Sequence, residues 1–177
     1  MIRLAVVGDI GSGKSHIAKL FGFPIFNADA EVSKLYKKNK KCYAKLKKAL
    51  PYHITSFPIK KSQLSKAIMS NKNALKKIIE VVHPEIKKIM HRFVKKNKNK
   101  SIVILDIPLL MENKINRKSD VIIFIDAKKK EINKRLKKRD NFNPKIVEKL
   151  KKLQLPLELK KKRSNFIIKN NFKNNYV

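Results

Sequence analysis

Apolar residues in this 177-residue chain recur in two rhythms, and the alternation between them predicts the architecture. Short, mostly apolar runs at residues 2–7, 24–27, 102–105, 121–125 and 166–168 have the length and the Val/Ile content of buried strands. Between them lie stretches in which apolar side chains return every three to four residues, as on a helix that buries one face. These predict helices over 14–21, 31–50, 61–69, 73–82, 84–96, 128–138 and 144–153. Pro84 disfavours helical backbone at His83, so a helix boundary is expected there. Strands separated by helices of crossover length, with no hairpin turns, specify an α/β fold around a parallel sheet.

A chain of this length with 42% hydrophobic residues supports one domain with its own core, with room for a small inserted subdomain. Its apolar runs fall far short of the roughly 20 residues that a membrane-spanning helix needs. No membrane partner is expected, and the absence of a leader pattern before the first strand makes the cytoplasm the expected location. Cys42 is the only cysteine, which excludes an internal disulfide and a zinc site built from several thiolates. The four histidines, His16, His53, His83 and His91, lack metal-ligand spacing, so no structural metal is expected.

The formal charge of +32 raises the possibility of a nucleic-acid partner. The distribution argues against it. Only six basic residues are Arg and the other 39 of 45 are Lys, scattered over what read as solvent faces, whereas base recognition relies on Arg forks and aromatic stacking. A compositional drift toward Lys and Asn makes the scarce residue types informative. Of four glycines, three, Gly8, Gly11 and Gly13, fall within six residues.

Those glycines belong to Gly8-Asp9-Ile10-Gly11-Ser12-Gly13-Lys14-Ser15, a complete G-x-x-x-x-G-K-S placed between an apolar strand and a helix. Such a loop turns backbone N–H groups inward around phosphate oxygens. It predicts ATP binding, with Lys14 reaching the β- and γ-phosphates and the Ser15 hydroxyl on Mg²⁺. Asp29, just past the second strand, reads either as a carboxylate that takes an acceptor hydroxyl's proton or as a helix N-cap. Asp106 ends a strand, suited to orienting the Mg²⁺ shell through water or to a turn before Pro108. Arg135 and Arg139 stand four apart on a basic helix and are expected to share a face, where planar guanidinium groups suit triphosphate clamping or adenine stacking.

From residue 8 to residue 170 the chain resembles the dephospho-coenzyme A kinase family. The resemblance rests on the glycine loop, on Asn27-Ala28-Asp29 in place of a D-A-D element, and on the stretch from Leu64 to His83-Pro84. It continues through Pro108-Leu109-Leu110-Met111-Glu112, the R-x-x-x-R-D pattern from Arg135 to Asp140, and Gln154 with Asn165, Ile167, Ile168 and Asn170. The family usually has Gly at the place of Asp9, Thr at His16, Asp at Asn27 and Asp at Asn165.

What the resemblance implies is a three-layer P-loop kinase fold, a five-stranded parallel sheet with a helical substrate-binding region at about 31–100 and a lid at about 128–160. The core would comprise 1–30, 101–127 and 164–177. The implied reaction moves the γ-phosphate of Mg·ATP to the ribose 3′-hydroxyl of dephospho-coenzyme A. Asp29 is the implied base, with Lys14, Arg135 and Arg139 stabilising charge. Nucleotide contacts fall to Gly8, Gly11, Ser12, Gly13, Lys14, Ser15 and His16, and acceptor contacts to His83, Pro84, Pro108, Leu109 and Glu112. The alternatives are another P-loop kinase acting on nucleosides or nucleotides and, from the charge alone, a nucleic-acid-binding ATPase.

Overall fold

A computed structural model describes residues 1–139 and 142–172. In chain order the elements are β1 (Ile2–Gly8), α1 (Lys14–Leu20), β2 (Ile25–Asn27), α2 (Ala28–Lys38), α3 (Lys40–Ala49), α4 (Lys61–Ser70), α5 (Ala74–Lys96), β3 (Ile102–Asp106), β4 (Val121–Asp126), α6 (Lys129–Lys137), α7 (Pro144–Lys152), α8 (Leu157–Lys162) and β5 (Phe166–Lys169). They divide into two compact units, a helical one spanning Ala28–Lys95 and a sheet unit formed by Met1–Asn27 and Lys96–Val177.

The sheet is five-stranded and parallel throughout, in the order β2-β3-β1-β4-β5. The three inner strands, β3, β1 and β4, are largely apolar on both faces because both are covered. Leu4, Val6, Ile104, Ile123 and Ile125 bury one face against Ala18, with Ile17 and Phe21 packed around them. Ala5, Val7, Val103, Leu105, Ile122 and Phe124 are buried as well. Since side chains alternate across a strand, these belong to the opposite face. β2 does not adjoin β1; β3 lies between them and brings Asp106 into register with both Val6 and Asn27. Parallel pairing still puts the carboxyl ends of all three strands on one edge, where ligands of such sheets bind.

The helical unit departs from the sequence reading in two places. The single helix expected over 31–50 is two, because Asn39 takes an extended conformation and its side-chain oxygen accepts the Cys42 N–H at 2.8 Å, capping α3. Conversely, the boundary expected at His83 is absent, and α5 runs for 23 residues through Pro84. Pro84 removes the hydrogen bond to the Glu80 carbonyl, and an interior proline costs about 3 kcal/mol. Both residues are exposed, so that carbonyl faces solvent rather than the apolar interior. On the other side Ala74, Ile78, Val82, Ile86 and Met90 bury one continuous stripe at helical spacing. Burying it contributes about 1.5–3 kcal/mol for each large side chain, which outweighs the proline.

Candidate active site

The glycine loop leaves the carboxyl end of β1 at the middle of the sheet. Gly8 has φ 146°, and a side chain there would begin 2.6 Å from the Ile125 carbonyl oxygen of β4. Only glycine lets the loop pass so close to its neighbouring strand. Gly13, at φ 90°, caps α1 in the left-handed region. Among the described residues the N–H groups of Gly11 and Gly13 donate to no protein acceptor, whereas that of Ser12 reaches the Asp9 carbonyl at 3.2 Å. Free amides on a tightly turned backbone are what an anion requires.

Lys14 is buried and folded over the same loop, its Nζ 2.7 Å from the Asp9 carbonyl oxygen and 3.3 Å from that of Gly8. Ser15 and His16, in the first turn of α1, are exposed. Asp9 stands where the sequence reading expected glycine to be usual, and its carboxylate is well engaged. One oxygen accepts the Ile10 N–H at 2.6 Å and the other lies 3.6 Å from Lys151 Nζ on α7. Both residues line a cavity of about 380 Å³ with Asp126, Lys129, Gln154 and Leu155. Lysines crowd this part of the chain, so no pattern in the sequence distinguishes Lys151.

On the same sheet edge, Asp106 is 3% exposed and accepts a 2.6 Å hydrogen bond from the Asn27 side-chain amide. This contact gives Asn27 a physical rationale, because a second carboxylate there would face Asp106 with like charge. Asn165 is similar. Its amide oxygen accepts the Ile122 N–H at 2.8 Å, a role that an Asp would fill equally well. Asp29 is exposed in the first turn of α2, the position that favours acids by the helix dipole. In the same unit burial raises the Tyr36 phenol well above its ordinary value, reinforced by the neighbouring charges of Cys42 and Asp29. Burial likewise lowers the pKa of His83, which sits half-buried in the middle of α5 beside the exposed Pro84.

The segment after β3 places Pro108 and Leu109 partly exposed and buries Leu110 and Met111. Glu112 points inward, where Oε1 lies 3.1 Å from Lys160 Nζ and accepts the Leu155 N–H at 3.0 Å. Lys160 is 1% exposed, and Glu112 is thereby the tie between this segment and α8. A buried lysine within a run of three could not be singled out from the sequence.

The basic helix needs one correction. α6 ends at Lys137 with Lys138 as its C-cap, so Arg139 lies beyond the helix and does not share its face with Arg135. Both arginines are exposed, and Asp140, which completes their pattern, lies outside the described residues. The Arg135 guanidinium rests on the Phe172 ring, 4.5 Å from its centroid. Asn170, from the late motif, donates from its side chain to the Ser12 carbonyl at 2.9 Å and so ties the segment after β5 to the phosphate loop.

Comparison with known proteins bears on this arrangement. The family model for dephospho-CoA kinase matches residues 2–175. The dephospho-CoA kinase of Wolbachia pipientis wMel is 31% identical over 98% of this chain and 91% of its own. That of Wolbachia sp. subsp. Brugia malayi (strain TRS) is 32% identical, over 93% and 87%. Among solved structures, the dephospho-CoA kinase from Campylobacter jejuni superposes with a TM-score of 0.61 at 26% identity, covering 97% of this chain and 89% of that one. TT1252 from Thermus thermophilus gives 0.76 at 26%, over 96% and 88%. Shikimate kinase from Acinetobacter baumannii, at 0.50 and 15% identity over 97% and 84%, shares the fold.

Proposed function

The chain belongs to the dephospho-coenzyme A kinase family, and from that premise we propose how its residues divide the transfer of the ATP γ-phosphate to the ribose 3′-hydroxyl of dephospho-coenzyme A. It is a phosphotransferase with ATP as donor and small molecules as substrates. The observation that carries the residue assignment is the loop at 8–15, whose Gly11 and Gly13 amides stand without protein acceptors among the described residues, beside a buried lysine. Phosphate oxygens take those amides. Lys14 exchanges the Gly8 and Asp9 carbonyls for the β- and γ-phosphates, trading two neutral acceptors for charged ones that bind it more strongly.

The residues also fit magnesium. Among the described residues no group of three or more His, Cys, Asp or Glu forms a metal cage, and the donors proposed for the ion are the hard oxygens of Ser15 and Asp106. This is the sparse set that suits an ion completing its shell with phosphates and water. When bound, the ion would neutralise charge on the triphosphate; Ser15 would ligate it and Asp106 would orient a water of its shell.

Asp29 accepts or orients the proton of the acceptor hydroxyl as that oxygen attacks phosphorus. Lys14, Arg135 and Arg139 stabilise charge spread over the transferring phosphoryl group. Acceptor contacts come from Pro108 and Leu109 and from His83 with Pro84, while Glu112 holds its segment in place through Lys160. The expected location is the cytoplasm, where ATP is supplied.

A substrate panel tests the reading. ADP release is measured with dephospho-coenzyme A, with nucleosides and with nucleoside monophosphates as acceptors. Release with dephospho-coenzyme A alone is expected; rejection of that acceptor together with use of another would overturn the assignment.

A further inference from the structure

A carboxylate beside a bound triphosphate repels it, so Asp9 is an unfavourable residue at the start of a phosphate loop. Its side chain is 12% exposed and engaged at both oxygens. The Ile10 N–H donates to one at 2.6 Å, which holds the carboxylate on the loop, and Lys151 Nζ lies 3.6 Å from the other. The backbone carbonyl of Asp9 meanwhile accepts Lys14 Nζ at 2.7 Å. Asp9 therefore stands between two lysines. Because Lys14 is assigned to the β- and γ-phosphates, Lys151 is brought to the γ-phosphate end of the loop.

The two members of this ion pair differ in freedom. Asp9 is held by its own loop. The backbone at Lys151 is held as well, since its carbonyl accepts the Gln154 N–H at 2.9 Å and the Leu155 N–H donates to Glu112 at 3.0 Å. Its side chain is a flexible stem that stays 35% exposed, and the contact with Asp9 is longer than the roughly 2.7–2.9 Å of a charge-assisted hydrogen bond. Both residues line the cavity of about 380 Å³, which gives the ammonium group room to change partner.

We infer that Lys151 is a γ-phosphate residue of this enzyme and that Asp9 is its internal competitor, a carboxylate that holds the ammonium group and yields it when ATP brings a γ-phosphate. Once the phosphoryl group has gone to the acceptor, ADP offers Lys151 no terminal phosphate and the lysine returns to Asp9. The pair thereby separates donor from product. This deepens the reading of residues 8–15 as an ATP phosphate loop and rests on it. Glycine at residue 9 would give Lys151 no carboxylate to return to, so the device belongs to a chain that carries Asp9.

Affinities for ATP, ADP and inorganic tripolyphosphate are measured by calorimetry for the unaltered chain, Lys151→Met and Asp9→Asn. Lys152→Met serves as control, because it removes the same charge one residue along from a side chain that is 73% exposed and paired with Glu148. Lys151→Met should weaken ATP by about 5- to 50-fold and ADP by less than about 2-fold. Asp9→Asn keeps an oxygen for the Ile10 N–H and removes the competitor, so it should tighten ATP relative to ADP by about 3- to 10-fold. Lys152→Met should leave the ratio of the two affinities unchanged. Equal weakening of ATP and ADP by Lys151→Met, or no weakening of either, overturns the inference. So does a ratio that stays level or falls in Asp9→Asn, and so does a Lys152→Met effect as large as that of Lys151→Met, which would make bulk charge the cause. Failure of the underlying reading looks different. The unaltered chain would then bind neither ATP nor tripolyphosphate, or Lys14→Ala would bind both normally, and either result overturns both.

Discussion

The two units of this protein stabilise themselves by different means. In the sheet unit, polar side chains are wholly or partly buried and make contacts over long stretches of sequence: Arg3 with Asp120 at 3.0 Å, Asn27 with Asp106, Glu112 with Lys160, Asn170 with the Ser12 carbonyl. In the helical unit the interior is an apolar spine of Leu46, Leu50, Ile54, Ile78, Val82, Ile86 and Met90. Its ion pairs, Lys34 with Glu31 and Lys45 and Lys88 with Glu85, each place an exposed lysine at the surface. Apolar packing fixes volume and tolerates adjustment, whereas desolvated polar contacts fix distances and directions. A phosphate loop needs directions, and the unit that carries it is the one that supplies them.

Asp29 gives the sharpest way to break this contrast, because it assigns a reacting group to the adaptable unit. Asp29→Asn should cut turnover by about 10²- to 10⁴-fold in an ADP-release assay with little change in ATP affinity. Near-normal turnover would confine the chemistry to the sheet unit. Next in size, Glu112→Ala leaves Lys160 charged and buried without a partner, and should lower unfolding free energy in urea by about 3–5 kcal/mol. Replacing Glu112 and Lys160 together by Met should recover most of that loss, since the desolvated charge goes with its partner.

The helical unit should answer to volume instead. Met90→Ala is expected to cost about 2–5 kcal/mol through the cavity it leaves. Lys45→Ala, which removes a half-exposed partner of Glu85, should cost no more than about 1 kcal/mol. Equal costs for the two would erase the distinction. The smallest effect is on pH dependence. Burial holds the His83 pKa below its ordinary value, so the unfolded chain takes up a proton before the folded one does. Stability from this residue is full above a pH of about 6.5 and declines as pH falls toward the depressed value. His83→Leu should flatten that part of a stability profile measured by urea unfolding.

Much of this was legible along the chain. The five strands announce themselves by Val and Ile runs, and a glycine-poor sequence that concentrates three of its four glycines before Lys14 marks the phosphate loop, because each backbone turn there forbids a side chain. Local rules failed where a tertiary contact outweighed them. Pro84 should have ended a helix, yet a buried stripe four residues apart carried α5 through it. Asn39 should have continued one, yet its side chain capped the next.

The sequence by itself therefore determined the fold class, the family and the glycine loop to which we assign the nucleotide, all of which depend on residues close together or on a repeating period. Which lysine of Lys160, Lys161 and Lys162 is buried, why Asn27 suits a neighbour 79 residues away, and which aromatic ring meets Arg135 were decided only in three dimensions. Each depends on partners brought together by strand order and helix packing, and a local pattern carries no record of them.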